Sequence, residues 1–134
     1  MSNFIGINLQ QEIHDTLLAD TELMGVINNV YDHLPKDASL PFVAIKDVET
    51  KDNSTKTTDG QKTSITIESW SNQRGKEETQ QIVEKLHDSL HNASLAISGY
   101  SITSVQIIRT KIEAMYGGAK YKGSIELEIW SEKI

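Results

Sequence analysis

Four side chains in one stretch have the types and spacing that catalysis uses: Glu84, His87, Asp88 and His91. His87 and His91 stand at i and i+4, the spacing with which helical histidines bind zinc in peptidases. Asp88 follows the first histidine where those enzymes carry Glu. At about 100° per residue, all four fall on one side of a helix. Ile82, Val83, Leu86 and Leu90 fall on the opposite side. The charged cluster therefore faces water, whereas a catalytic metal needs a walled site whose ligands are held by further partners. The expectation is a solvated helix face, with the histidines near the C-terminal end where the helix dipole favours positive charge.

Other chemistry is equally thin. Gly117-Gly118 lacks the following helix and the Lys-Ser/Thr pair of a phosphate loop, and no G-x-S-x-G elbow is present. The chain has no cysteine, which excludes disulfides, thiolate zinc sites and thiol nucleophiles. Folding in a reducing cytoplasm is the natural reading. His14 and His33 are isolated and suit core-edge or surface roles. Glu68, Glu126 and Glu128 read as a solvated strand face, with an acidic lining or an interface as the other reading. Trp70 and Trp130 share the strand faces of those glutamates. Each either covers a sheet end beneath a loop or anchors a partner. The expectation is no catalytic residue, no cofactor and no metal.

These residues need elements to position them. Leu9, Ile13 and Leu17 recur every four residues and predict a helix over 7–19. Asp20 is placed to cap a second short helix, with Glu22 in its first turn and Gly25 weakening it, so that it ends near Asn28-Asn29. Residues 30–33 are short and β-compatible, and Pro35 and Pro41 bracket the connection to a strand over 42–49. Residues 50–62 contain no apolar side chain and read as a long polar loop between strands. It carries Lys51, Asp52, Lys56, Asp59 and Lys62, a mixture of charges that suits contact with a neighbouring subunit. Together with Trp70 and Trp130 they are the candidate interface residues.

Residues 63–71 alternate, with Ile65 and Ile67 on one face and Thr66, Glu68 and Trp70 on the other. Residues 75–92 predict the strongest helix, and 101–111 and 123–131 two further strands joined by a hairpin at Gly117-Gly118. Residues 64–71 and 124–131 echo one another, as two matched strands of one sheet would. The whole reads as α+β: an antiparallel sheet with helices packed on one face.

The chain has 134 residues, which suits one domain over 1–134, and its 37% hydrophobic and 24% charged residues are ordinary for a globular protein. No apolar run is long enough to span a bilayer, and the first residues lack a signal-peptide pattern. The sequons at Asn53 and Asn92 are therefore chance. A net charge of −6 argues against dedicated DNA binding, although not against a conduit that DNA passes without sticking.

The order of several short motifs carries a resemblance. These are Leu9, Ile13, Leu17, Asp20 and Leu23, then Val30-Tyr31-Asp32-His33-Leu34-Pro35, then Leu40-Pro41-Phe42-Val43. Ile67 with Trp70-Ser71, the helix through Ile82, Leu86 and Leu90, and Gly99-Tyr100 follow. From about Leu9 to Trp130 the chain resembles the tail-completion (tail-terminator, head–tail joining) family of siphophages and related prophages. Phe42 departs from the Tyr more usual there. The resemblance implies an α+β fold, no catalysis, and a homo-oligomeric ring, a hexamer, at the head-proximal end of the tail in the virion, made in the host bacterial cytoplasm. Its implied partners are the tail tube protein and the head completion or connector protein, with DNA passing through unbound and no membrane. Another tail-tube or head-completion protein, an unrelated binding module and, last, a metal-dependent hydrolase are the alternatives. A tube protein polymerises, whereas a terminator stops at rings.

Overall fold

Leu9, Ile13 and Leu17 are the buried side of the first helix in a computed structural model that describes residues 5–32, 35–72 and 76–134. That helix is α1 (Gly6–Leu18). Asp20 then caps α2 (Thr21–Met24), its carboxylate accepting from the backbone N–H of Glu22 at 3.1 Å and of Leu23 at 3.2 Å. Gly25 stands at its C-cap, so the second helix stops well short of Asn28.

Five strands follow: β1 (Val30–Tyr31), β2 (Phe42–Asp52), β3 (Gly60–Ser71), then, after helix α3 (Glu77–Leu90), β4 (Tyr100–Met115) and β5 (Lys120–Lys133). They form one sheet in the order β1-β2-β3-β5-β4. All neighbours are antiparallel except β1 and β2, which run parallel. The helices cover one face, giving the expected α+β architecture. Ile65, Ile67, Ile125 and Leu127 point from the sheet into a core shared with Leu86 and Leu90 of α3 and Leu9, Ile13 and Leu17 of α1. All nine are essentially inaccessible to solvent. At Gly123 the helix comes so close that a Cβ would lie 2.6 Å from the Val83 side chain.

The strands are longer than hydropathy predicts, and this corrects the reading of residues 50–62 as a loop. Lys51 and Asp52 belong to β2 and Lys62 to β3, where Thr50 pairs with Thr63, Lys51 with Lys62 and Asp52 with Gln61. The ladder is made by backbone groups, which do not need apolar side chains where strands overrun the core. Only residues 53–59 remain as a connection. The hairpin expected at Gly117-Gly118 is present as a short 3-10 turn, Tyr116–Gly118, with Gly117 at φ 66° and Tyr116 itself at φ 53°. The start of the predicted helix at Gly75 lies outside the described residues; α3 runs from Glu77 to Leu90.

Candidate interaction surface

The echo between residues 64–71 and 124–131 becomes geometry in the sheet. β3 and β5 are adjacent and antiparallel, with Thr66 opposite Glu126 at the centre of the repeat. On the face away from the helices, Lys62 Nζ lies 3.0 Å from Glu128 and 5.6 Å from the centre of the Trp130 ring. At the other end, Lys122 Nζ lies 3.8 Å from Glu68 and 5.9 Å from the centre of the Trp70 ring. The two Lys-Glu-Trp groups are related by a local twofold axis through the sheet. Lys122 also reaches Glu113 at 3.7 Å, and Trp70 Nε1 donates to Glu68 at 3.3 Å. Glu68 and Glu128 are therefore each paired with a lysine, and the glutamates do not form a bare acidic cluster. Cation and ring share the same partly dry surface, which strengthens both contacts over their exposed counterparts.

The turn after β2 is tied internally. Asp52 Oδ1 accepts from the Ser54 backbone at 3.2 Å and from its hydroxyl at 2.5 Å. The Gly60 N–H donates to Ser54 Oγ at 3.2 Å, and the Thr55 N–H to the Thr58 carbonyl at 2.9 Å. Short polar side chains close the turn by taking over backbone bonding, as Asp, Ser and Thr do in tight connections. Asp59 joins it to the chain end, its carbonyl accepting from Lys133 N at 2.8 Å.

The seven residues singled out in the sequence do not form one site. Lys51, Asp52, Lys56, Asp59, Lys62 and Trp130 gather at the end of the sheet that carries this turn, through the pairs Lys51–Lys62 and Lys62–Trp130. Trp70 stands at the opposite end, across from Lys122. Asp52 holds the turn, Lys51 pairs with Glu49 at 3.4 Å, and Lys62 pairs with Glu128, which leaves Lys56 and Asp59 as the side chains the turn itself presents.

The histidines have structural partners. His87 and His91 stack with ring centres 4.6 Å apart, and His91 Nδ1 accepts the backbone N–H of Ile107 at 3.2 Å, tying the end of α3 to β4. Glu84, His87 and Asp88 are exposed. His14 Nε2 is 2.9 Å from the Val30 carbonyl and joins α1 to β1. His33 lies outside the described residues. Among the described residues no three His, Asp or Glu converge as a metal site would need, and no helix is long and apolar enough to cross a membrane.

Two features were missed in the sequence. The echo begins earlier than residue 64: Lys62 and Lys122 stand at equivalent places, two residues before Ser64-Ile65 and Ser124-Ile125. The second is a groove of about 290 Å³ beside Trp70, floored by Leu40, Phe42 and the ring of Tyr116. Lys36, Lys46 and Lys120 line it, and Lys120 stands over Tyr116 at 5.7 Å. No sequence pattern joins these positions, because the turn after β4 and the segment before β2 meet only through the sheet.

A family model described as tail completion protein gp17 matches residues 11–132. Among solved structures, a chain in the virion of a native gene transfer agent particle is 20% identical, with a TM-score of 0.88 over 98% of this chain and 99% of that one. The gp17 protein of bacteriophage SPP1 is 21% identical, with a TM-score of 0.67 over 96% of this chain and 90% of that one. No curated protein matches the sequence.

Proposed function

The chain belongs to the tail completion protein gp17 family, and from that premise we propose that it closes the head-proximal end of a phage tail as a ring. Membership makes it a structural protein of the virion tail. The finer reading is that residues 1–134 act as one tail-completion domain. Six copies surround the DNA path, stop growth of the tail tube and meet the connector of the head. The observation that carries this reading is the family match from residue 11 to 132, which runs from α1 almost to the end of β5. In this reading the subunit works without catalysis or cofactor, which suits the exposure of Glu84, His87 and Asp88 and the contact of His91 with the Ile107 backbone. The net charge of −6 suits a wall that DNA slides past.

The turn of residues 53–59, with Lys51 and Lys62 beneath it and Trp130 beside it, serves as one assembly contact, and Trp70 as part of another. Lys56 and Asp59 project from a rigid sheet end, where contact residues are commonly carried. Electron microscopy of the purified protein, alone and with assembled tail tubes, tests the reading. Rings that cap tubes are expected, and extended tubes of this protein alone would refute it. Replacing residues 53–60 by an Asn-Gly turn keeps the β2–β3 ladder. The shortened protein is expected to fold and to lose tail completion; infectious tails at the parent's yield would remove the turn from the contact.

A further inference from the structure

The net charge is unevenly spread. The first 35 residues hold Glu12, Asp15, Asp20, Glu22 and Asp32 and no Lys or Arg. All 13 basic residues lie beyond them, where they nearly balance the remaining acids. The α1–α2 segment is thus acidic, although α3 brings Lys85 within 3.4 Å of Glu22. Its solvent side is also partly apolar. Leu18 is 40% and Ile7 83% exposed, and their spacing of three helical turns puts them on one line along α1, with Asp15 beside it.

The groove beside Trp70 has the complementary character. Its floor is aromatic and aliphatic, and Tyr116 is 72% exposed although its backbone is held in the left-handed region that bulky residues avoid. Lys36, Lys46 and Lys120 line it, and among the described residues none of them has a carboxylate within ion-pair distance. Glu68 also lines the groove but is taken by Lys122, and Lys120 rests over the Tyr116 ring, so the groove offers aromatic anchors with cations that have no carboxylate of their own, as a desolvated protein contact uses.

We propose that this groove receives the α1–α2 corner of a second copy of the chain, with Leu18 seated against Phe42, Trp70 and Tyr116. Asp15 then faces Lys46 or Lys120, and Glu22 turns from its exposed pair with Lys85 to the other. The inference rests on the ring reading and deepens it by naming the surface through which copies join. The groove opens on the face of the sheet that the helices leave bare, and α1 lies on the covered face, so the two patches sit on opposite sides of the subunit. A contact between two different patches is heterologous, and repeated from copy to copy it makes a ring when the rotation between neighbours closes. The opposed charges orient each incoming subunit before the apolar groups meet.

Charge reversal tests it in the full-length protein. Lys46→Glu with Lys120→Glu, and separately Asp15→Lys with Glu22→Lys, are each expected to weaken ring formation at least tenfold by sedimentation, with an unchanged melting temperature. All four changes in one chain reverse every contact at once and are expected to restore rings. Rings from the Lys46→Glu/Lys120→Glu protein overturn the inference, including the case in which those rings no longer join tails, which would give the groove to another partner. Failure of the fourfold variant to regain rings overturns it as well. A parent that forms no ring, alone or on tail tubes, refutes the ring reading, whereas rings from parent and variant alike refute only the groove.

Discussion

On one face of β3 and β5, Ile65, Ile67, Ile125 and Leu127 are sealed under α3; on the other, the same strands carry Lys62, Glu68, Trp70, Lys122, Glu128 and Trp130. The first face is held by close packing of apolar groups whose exact partners matter little, provided volume is conserved. The second is held by register. Lys62 meets Trp130 and Lys122 meets Trp70 only because Thr66 stands opposite Glu126. Stability therefore belongs to the covered face, and the bare face keeps its charged and aromatic groups available for contacts while balancing them locally.

Removing packing from the covered face has the largest expected effect. Leu86→Ala leaves a cavity between α3 and the sheet and should cost about 2–5 kcal/mol in denaturant unfolding. A loss under about 1 kcal/mol would remove Leu86 from the core. A smaller change, and of opposite sign, is expected at Thr79. Among the described residues its buried hydroxyl has no hydrogen-bond partner, and its methyl group is the side that packs against Gly123. Thr79→Val keeps the shape and removes that unsatisfied group, so the protein should gain about 1 kcal/mol. Destabilisation instead would mean that the hydroxyl is satisfied in solution. The smallest effects belong to the bare face. A double-mutant cycle on Lys62→Met and Trp130→Leu should give a coupling of about 0.5 kcal/mol. The Lys122–Trp70 cycle should give no more, because Lys122 divides itself between Glu68 and Glu113. A coupling above about 2 kcal/mol at either place would make the bare face a second source of stability and end the contrast.

The covered face was legible in the sequence, because burial leaves a periodic trace. Leu9, Ile13 and Leu17 marked α1, alternation marked β3, and Ile82, Leu86 and Leu90 marked α3. Asp20 was legible as a cap because capping is local chemistry. Strand ends were not, since Lys51, Asp52 and Lys62 sit in a ladder that leaves no mark on hydropathy. The bare face was half legible: the echo around the two tryptophans was visible, but Lys62 and Lys122 acquire their partners from the pairing of strands some sixty positions apart. The groove under Tyr116 depends on three separated segments, and one sequence holds no signal that brings them together.

The length of the strands has a mechanical consequence. β3, β5 and β4 run for 12, 14 and 16 residues, at least about twice the common strand length. β3 is paired along its whole length with β5, from Gly60 opposite Glu132 to Ser71 opposite Tyr121. A pull along the strand axis loads all those hydrogen bonds together in shear, whereas a pull across it peels them one at a time. A subunit set with its strands along the line of tension would thus be stiff in that direction and weak in the other.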